Sequence, residues 1–357
     1  MSSPPPIQLD QTLIRPVEPA DAEGLRALAA DAGFGFTSLT TEPAHIQQRI
    51  EASLAGEQPL LVMTPRPNIN PPASALPAVL GCAGLTRSTG KPDTAEPFYA
   101  YRRERTIHQS PRLAVRNEVE ALHLVAEYDG PTLLGTLILH PAARGQGLGR
   151  ALSLARFLLI ARDPTRFRPT LIAELRGIID RQGVSPFWEG LGRHFFHVDY
   201  ATADRLSAQD KRFIAELMPK HPIYLPLLSP QAQQAVGQVH DDTRPAMKLL
   251  ESEGFYLTPL VDIFDAGPVL RCDAAAVRTV RQSRHTTASL TKTNEPSNNT
   301  PALIATQEDN LRIVAQPVDL STTTTALDPA AAEALAVEPD ALLIVSPLRD
   351  PSANTTA

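Results

Sequence analysis

The segment Thr136–Arg150, TLILHPAARGQGLGR, holds the densest cluster of residues with chemical consequence in this 357-residue chain. An apolar run ends at His140-Pro141, and three glycines follow at alternate positions: Gly145, Gly147 and Gly149. Next comes ALSLARFLLIAR (151–162), an apolar helix. Glycines between a strand and a helix let the backbone turn tightly and let N–H groups face an anion without Cβ atoms in the way. The helix dipole adds partial positive charge at the same point. The chemistry indicated is pyrophosphate binding. Residue type excludes two common loops of that kind. A Walker A loop needs Gly-Lys-Ser/Thr, but Gly149 is followed by Arg150-Ala151. A dinucleotide fingerprint needs G-x-G-x-x-G, but the spacing here is G-x-G-x-G with Arg150 next.

Such a turn needs a strand before it, a helix after it and a strand beyond. Leu133–Leu139 supplies the first, preceded by the turn DGP and another strand at Leu122–Tyr128; Arg168–Leu175 supplies the last. This order predicts an α/β unit with two parallel strands. Upstream, Leu13–Val17 reads as a short strand. Asp21 stands at a helix N-cap ahead of Leu25, Leu28 and Ala29 at helical spacing. After the turn GFGFTSLTT, residues 43–54 form an amphipathic helix with Ile46, Ile50 and Leu54 four apart. Leu60–Met63 and Ala78–Leu85 read as paired strands around a proline-rich loop at 64–77. Residues 185–196 and 245–255 each read as helix, glycine, aromatic, with helical segments at 201–218 and 229–239 between them. Beyond 256 the pattern is β-rich, interrupted at 285–301 by a low-complexity stretch read as a mobile loop. Strands resume in LIATQ, LRIVAQPV and ALLIVSPL. The domain reading is a disordered tail at 1–12, an α/β domain with a helical insertion at 13–255, a small β-rich C-terminal domain at 256–347, and a tail at 348–357.

Composition narrows the function classes. Hydrophobic residues make up 43% and charged residues 20%, ordinary for a globular protein, and the net charge of -6 argues against nucleic acid as a partner. No apolar run reaches the ~18 residues of a membrane span, and the N-terminus lacks the basic and apolar regions of a signal peptide. Cys82 and Cys272 are the only cysteines; they make neither a disulfide framework nor a metal site and fit a reducing cytoplasm.

Arg144-Gly145-Gln146-Gly147-Leu148-Gly149 matches R/Q-x-x-G-x-G/A, the acyl-CoA signature of the GNAT superfamily. That resemblance implies a GNAT-type mixed twisted α/β sheet flanked by helices, with these six residues on the cofactor. A narrower resemblance covers about 14–283: IRPVEPAD (14–21), TSL (37–39), AELRGIID (173–180), SPFWEGLGRHFF (185–196), FIAELMPKHPIY (213–224), AVGQVH (235–240) and DIFDAGPVLRCD (262–273). These runs resemble the arginine N-succinyltransferase family. The resemblance implies transfer of succinyl from succinyl-CoA to the α-amino group of L-arginine by direct attack in a ternary complex, without a metal or a nucleophilic cysteine. It also implies a proton-donor histidine at His240, in GQVH, a succinyl-CoA contact at Leu137, and assembly as a homo-oligomer or with a related subunit. The sequence departs from the family at His140, where an acidic residue is usual.

The chemistry agrees with α-acylation. An α-amino group titrates near ~8 and is partly neutral, whereas the guanidinium of arginine stays protonated. Histidine changes charge near neutral pH, so His240 suits protonation of the departing thiolate. His221, in PKHP, is a second candidate at the substrate. Arg176 and Glu174, at the end of the strand 168–175, are candidates for the substrate carboxylate and guanidinium. Thr37 and Ser38, in the first helical connection, are candidates for lining the acceptor pocket. Trp188 reads as core. The alternatives are a related enzyme acting on ornithine or another amino acid, and a non-catalytic acyl-CoA-binding partner subunit.

Overall fold

The computed structural model describes residues 7–31, 39–67, 76–90, 97–127, 129–209, 212–290, 299–308 and 310–351. Strand β1 (Thr12–Pro16) leads into helices α1 (Ala22–Ala30) and α2 (Pro43–Leu54), then strands β2 (Leu60–Pro65) and β3 (Gly81–Thr86). A long hairpin follows, β4 (Phe98–Ser110) and β5 (Val115–Glu127), and then β6 (Thr132–Leu139), α3 (Leu148–Arg162) and β7 (Thr170–Glu174). A helical stretch holds α4 (Pro186–Gly190), α5 (Gly192–Phe196), α6 (Tyr200–Gln209) and α7 (Arg212–Leu217), the two-residue β8 (Ile223–Tyr224), α8 (Pro230–Ala235) and α9 (Arg244–Ser252). The chain closes with β9 (Tyr256–Val261), β10 (Pro268–Asp273), α10 (Arg278–Arg281), β11 (Arg284–Ser289), β12 (Thr300–Thr306), β13 (Ile313–Val318), β14 (Thr324–Ala326), α11 (Pro329–Leu335) and β15 (Leu342–Pro347).

All described strands join one mixed sheet in the order β14-β11-β15-β12-β13-β1-β2-β3-β6-β7-β10-β9-β4-β5-β8. The expected parallel unit is present: β6 and β7 run parallel, joined through α3. Helix α3 has apolar residues on every side, as a helix packed all round must. Ala151, Leu152, Leu154, Ala155, Phe157 and Leu158 are fully buried, and α3 packs against β2, β3 and β6 and, further on, β12 and β15. Leu25, Leu28, Ile46 and Ile50 of α1 and α2 form a second cluster with Val62, Cys82 and Ile138. Trp188 is core as expected: it is fully buried among Phe196, Phe264 and Tyr200, and its Nε1 donates to the Val198 carbonyl at 3.0 Å. No helix among the described residues is long and apolar enough to cross a membrane.

Several expectations are corrected. The strands flanking the DGP turn both exist but are not neighbours. β5 pairs with β4, while β6 lies between β3 and β7. The sequence reading assigned nothing to 97–121, which forms β4 and half of β5, because Arg102, Arg103, Glu104 and Arg105 mask the strand pattern. Asp21 occupies the N-cap position of α1 but does not cap it. Its carboxylate instead takes two hydrogen bonds from Arg15 (2.7 and 2.8 Å) and one from the Glu18 N–H. The N-terminal tail is shorter than expected, since Ile7 is buried; residues 1–6 lie outside the described residues. Within 285–301, residues up to Ser289 belong to β11, paired with β15 and β14; 291–298 lie outside the described residues. Leu348, placed in the C-terminal tail, is buried and donates its N–H to the Pro301 carbonyl. In the 64–77 loop, β2 runs on to Pro65 and 68–75 are outside the described residues. β9 and β10 lie inside the sheet between β4 and β7. The later strands, with α11, close an apolar cluster of their own around Ile304, Val314, Leu335 and Val345.

One buried ion pair ties the helical stretch to the last strands. Glu253, with no exposed surface, accepts from Arg278 Nη2 (2.6 Å), Arg278 Nε (2.9 Å) and the Thr279 N–H (2.8 Å), and Arg278 reaches the Pro347 carbonyl. Breaking such a pair leaves an uncompensated buried charge, whereas replacing both partners with apolar groups is often neutral. Glu253→Ala is expected to cost about 3–5 kcal/mol in thermal or denaturant unfolding, with Glu253→Leu/Arg278→Met recovering most of it.

Candidate active site

The site begins where two parallel strands part. β6 and β7 pair at Thr132–Leu171, Leu133–Ile172 and Leu134–Ala173 and no further. Beyond that point β7 stays with β10, the Leu175 N–H donating to the Pro268 carbonyl at 3.0 Å. β6 stays with β3 and carries a bulge: Cys82 faces Ile138 and Gly84 faces Gly135, so Thr136 and Leu137 together oppose Ala83. Thr136 has φ +53°, an outlier for a β-branched residue of the kind that collects at functional sites. The parting leaves the edge of β6 from Gly135 to Leu137 facing an open cleft, where an extended ligand with amide groups can pair with it. Leu137 lies on that edge and lines the cleft.

At the end of β6 the chain turns through Arg144–Gly149 into α3. Gly145 and Gly147 adopt φ +89° and +77°, and open space lies where their Cβ atoms would be, so conformation, not crowding, demands glycine there. No side chain caps α3. Its first N–H groups and the positive end of its dipole stay available to an anion. His140 braces this turn. Its Nδ1 accepts from the Ala142 N–H at 3.2 Å, and its Nε2 lies 3.5 Å from Asp31 Oδ2.

A cavity of about 300 Å³ runs from this cleft past Glu174 and Arg176 to Tyr200, Asp204 and Asp262. A second of about 320 Å³ continues it along β6 to His45 and Arg49 and shares Glu174, Asp204 and Asp262. Backbone hydrogen bonds knit the cavity wall. The Gly237 N–H donates to the Ala266 carbonyl (2.8 Å) and the His240 N–H to the Arg176 carbonyl (2.9 Å). Asp265 accepts from the Gly177 and Gly267 N–H groups, both at 2.8 Å. Burial pushes the Asp265 carboxyl well above the ordinary range, and Asp262 adds to the shift. Burial also raises the Tyr200 phenol, helped by Asp265, Asp204 and Asp262, so it remains a donor. Arg176 offers a cation in the same wall, and its Nε is buried with no hydrogen-bond partner among the described residues.

The sequence candidates divide clearly. Glu174, Arg176 and Leu137 line the first cavity. His240 adjoins it: its backbone holds Arg176, and Asp242 and Thr243 just beyond line the wall. Its Nδ1 accepts from the Asp242 N–H at 3.2 Å, which leaves the proton of the neutral ring on Nε2. His221 is exposed ahead of β8 and lines neither cavity. Thr37 and Ser38 lie outside the described residues. Cys82 is fully buried, its thiol pushed up to about 12 by burial, so no thiolate nucleophile exists there. The sequence reading missed Tyr200, Asp204, Asp262 and Asp265; the run DIFDAG was noted only as a likeness, although its two aspartates and glycine are a turn signature.

A parted parallel strand pair, a bulge at the split and a glycine turn into an uncapped helix together define an acyltransferase of the GNAT type. The model of a family described as arginine N-succinyltransferase beta subunit matches residues 12–279. The chain belongs to the arginine N-succinyltransferase family. It is 42% identical over 279 residues to the arginine N-succinyltransferase of Enterobacter sp. (strain 638), covering 78% of this chain and 80% of that one. It is 41% identical over 274 residues to that of Escherichia coli O17:K52:H18, covering 76% and 79%. The solved structure of arginine/ornithine succinyltransferase subunit AI from Pseudomonas aeruginosa superposes with a TM-score of 0.82 at 30% identity, covering 96% of this chain and all of that one.

Placing an L side chain at φ +77° costs about 1–2 kcal/mol and tilts the N–H groups at the start of α3. Gly147→Ala is therefore expected to raise the KM for the acyl donor about tenfold while leaving the KM for the amine unchanged, as steady-state kinetics with each substrate varied will show.

Proposed function

We propose that the protein transfers the succinyl group of succinyl-CoA to the α-amino group of L-arginine, with His240 as proton donor and the cavity along β7 as the amino-acid site. The observation that carries this reading is the distribution of charge in that cavity. Glu174, Asp204 and Asp262 line the stretch that both cavities share, suited to a guanidinium, and the Nε of Arg176, which has no hydrogen-bond partner among the described residues, meets a carboxylate. CoA lies with its pyrophosphate at the Gly145–Gly149 turn and its amides along Leu137, which brings the thioester to the bulge at Thr136. The neutral α-amine attacks the thioester carbon, forming a C–N bond and an oxyanion beside the β6 backbone. Collapse breaks the C–S bond. The thiolate takes the proton from Nε2 of His240 in its imidazolium form, whose Nδ1–H turns to the Asp242 carboxylate 3.8 Å away, and the proton lost by the amine passes by way of Glu174 to solvent, from which the neutral ring is recharged. We place the reaction in the cytoplasm, in keeping with two buried, unpaired thiols.

An ornithine side chain is also cationic and suits the same acidic end, so ornithine is the second reading. Free-thiol release with purified protein separates these cases. Release that requires succinyl-CoA together with arginine supports the proposal, faster release with ornithine favours the second reading, and CoA binding without release for any pair overturns both. His240→Asn keeps an acceptor for the Asp242 N–H but lacks a proton to give. It is expected to lower kcat by about 10²–10⁴-fold with CoA affinity retained, and unchanged turnover removes His240 from the mechanism.

A further inference from the structure

We infer that Arg49 is the residue that selects a succinyl donor over an acetyl donor, by binding the free carboxylate at the far end of the acyl chain. The inference rests on the acyl-transfer reading above and assigns a part of the cleft that the reading leaves unused. Arg49 lies on α2 between Ile46 and Ile50, on the face the helix turns to the sheet, and is only 7% exposed. A cation buried this far normally has a carboxylate partner. Among the described residues Arg49 has none: its Nη1 donates to the Gln58 carbonyl, and no acidic group pairs with it. The guanidinium instead opens onto the second cavity, beside His45.

The position fits a short acyl chain that starts at the bulge. Gly84, on β3, faces Gly135 of β6. A Cβ at Gly84 would stand 2.7 Å from Arg49 Nη2 and 3.0 Å from Thr136 Oγ1, so the guanidinium and the bulge residue crowd the same point. Glycine at 84 clears the space that lets Arg49 reach the split between β6 and β7. A thioester held at Thr136 thus has Arg49 within the reach of three further carbon–carbon bonds, the length of a succinyl chain. An acetyl group ends before it. His45 adds a second polar group, its Nδ1 engaged by Thr40. Burial and the neighbouring Arg49 charge hold its ring below the ordinary histidine range, and it serves as a neutral donor. Charge is then divided along the cleft: Arg49 takes the acyl carboxylate, Arg176 the carboxylate of the amino acid, and the acidic residues the guanidinium.

The test is the ratio of kcat/KM for succinyl-CoA to that for acetyl-CoA, with arginine as acceptor, in the full-length protein and in Arg49→Met. Methionine keeps length and apolar packing while removing the charge. The ratio is expected to fall about 100-fold, with the KM for succinyl-CoA carrying most of the change and the Kd for free CoA staying within twofold. Arg49→Lys, which keeps a charge with shorter reach, is expected to fall between the two and gives the same reading if the methionine variant unfolds. A ratio that stays within threefold of the parent in both variants overturns the role of Arg49 and leaves the proposed reaction standing. A parent protein that uses acetyl-CoA as readily as succinyl-CoA overturns the donor assignment and this inference together.

Discussion

The candidate site depends on one constraint: two parallel strands, β6 and β7, that pair over three residues and then separate. Each is drawn away by a different neighbour. β7 continues along β10 and is fixed at its end by Leu175 and Gly177, which hydrogen-bond to Pro268 and Asp265. The fit there is close, for a Cβ at Gly267 would stand 1.9 Å from the Leu175 carbonyl oxygen. β6 follows β3 and takes up its extra residue in the bulge at Thr136. An open edge of backbone N–H and C=O groups in a buried sheet is costly unless something pairs with it. Here it faces a cleft, and a ligand with peptide-like groups is the natural partner.

Buried cations maintain this arrangement at a cost. Arg156, on α3, is 3% exposed and is pushed down to about 10 by burial, yet remains a cation near neutral pH. Its N–H groups go to the Ser153 carbonyl and hydroxyl and to the Gly135 carbonyl, the last of these at the split itself. All three donor positions have protein acceptors, so Arg156 acts as a clamp on β6. Arg49 is also buried and lowered to about 10, but among the described residues it has one acceptor, the Gln58 carbonyl. A buried charge with an acceptor for every donor nitrogen and one with a single acceptor are different objects energetically: the first is satisfied in the free protein, and the second gains most from an anion.

The chemistry at the turn was legible in the sequence because it depends on local rules. RGQGLG needs a strand before it and a helix after it, both visible as apolar patterns within thirty residues, and the two positive φ angles demand glycine wherever the rest of the chain goes. Sheet order was not legible. Nothing near the DGP turn announces that β5 and β6 will be separated by β7, β10, β9 and β4, since that depends on partners more than a hundred residues away. Asp21 shows the same limit on a small scale: the N-cap pattern was present, but Arg15, six residues earlier, competes for the carboxylate and wins with two charge-assisted hydrogen bonds. Arg49 did leave a trace. Ile46, Arg49 and Ile50 share one helical face, and an arginine on an apolar face is the kind of buried polar group that needs explaining.

The two histidines that flank the site show how the fold sets the tautomer of a ring. His140 and His240 both sit at the start of a short helical turn, and each accepts an N–H from two residues ahead through Nδ1. That use of Nδ1 fixes the tautomer and aims Nε2 away from the turn. What differs is what Nε2 meets. For His140 it is the carboxylate of Asp31, 3.5 Å away at the surface end of the turn. For His240 the Nδ1 cap is reinforced by the backbone bond to the Arg176 carbonyl, so its ring is referenced to the end of β7. The same local device thus leaves Nε2 facing a carboxylate in one place and beside the cavity in the other, and the difference comes from what each turn is tied to, not from the histidine itself.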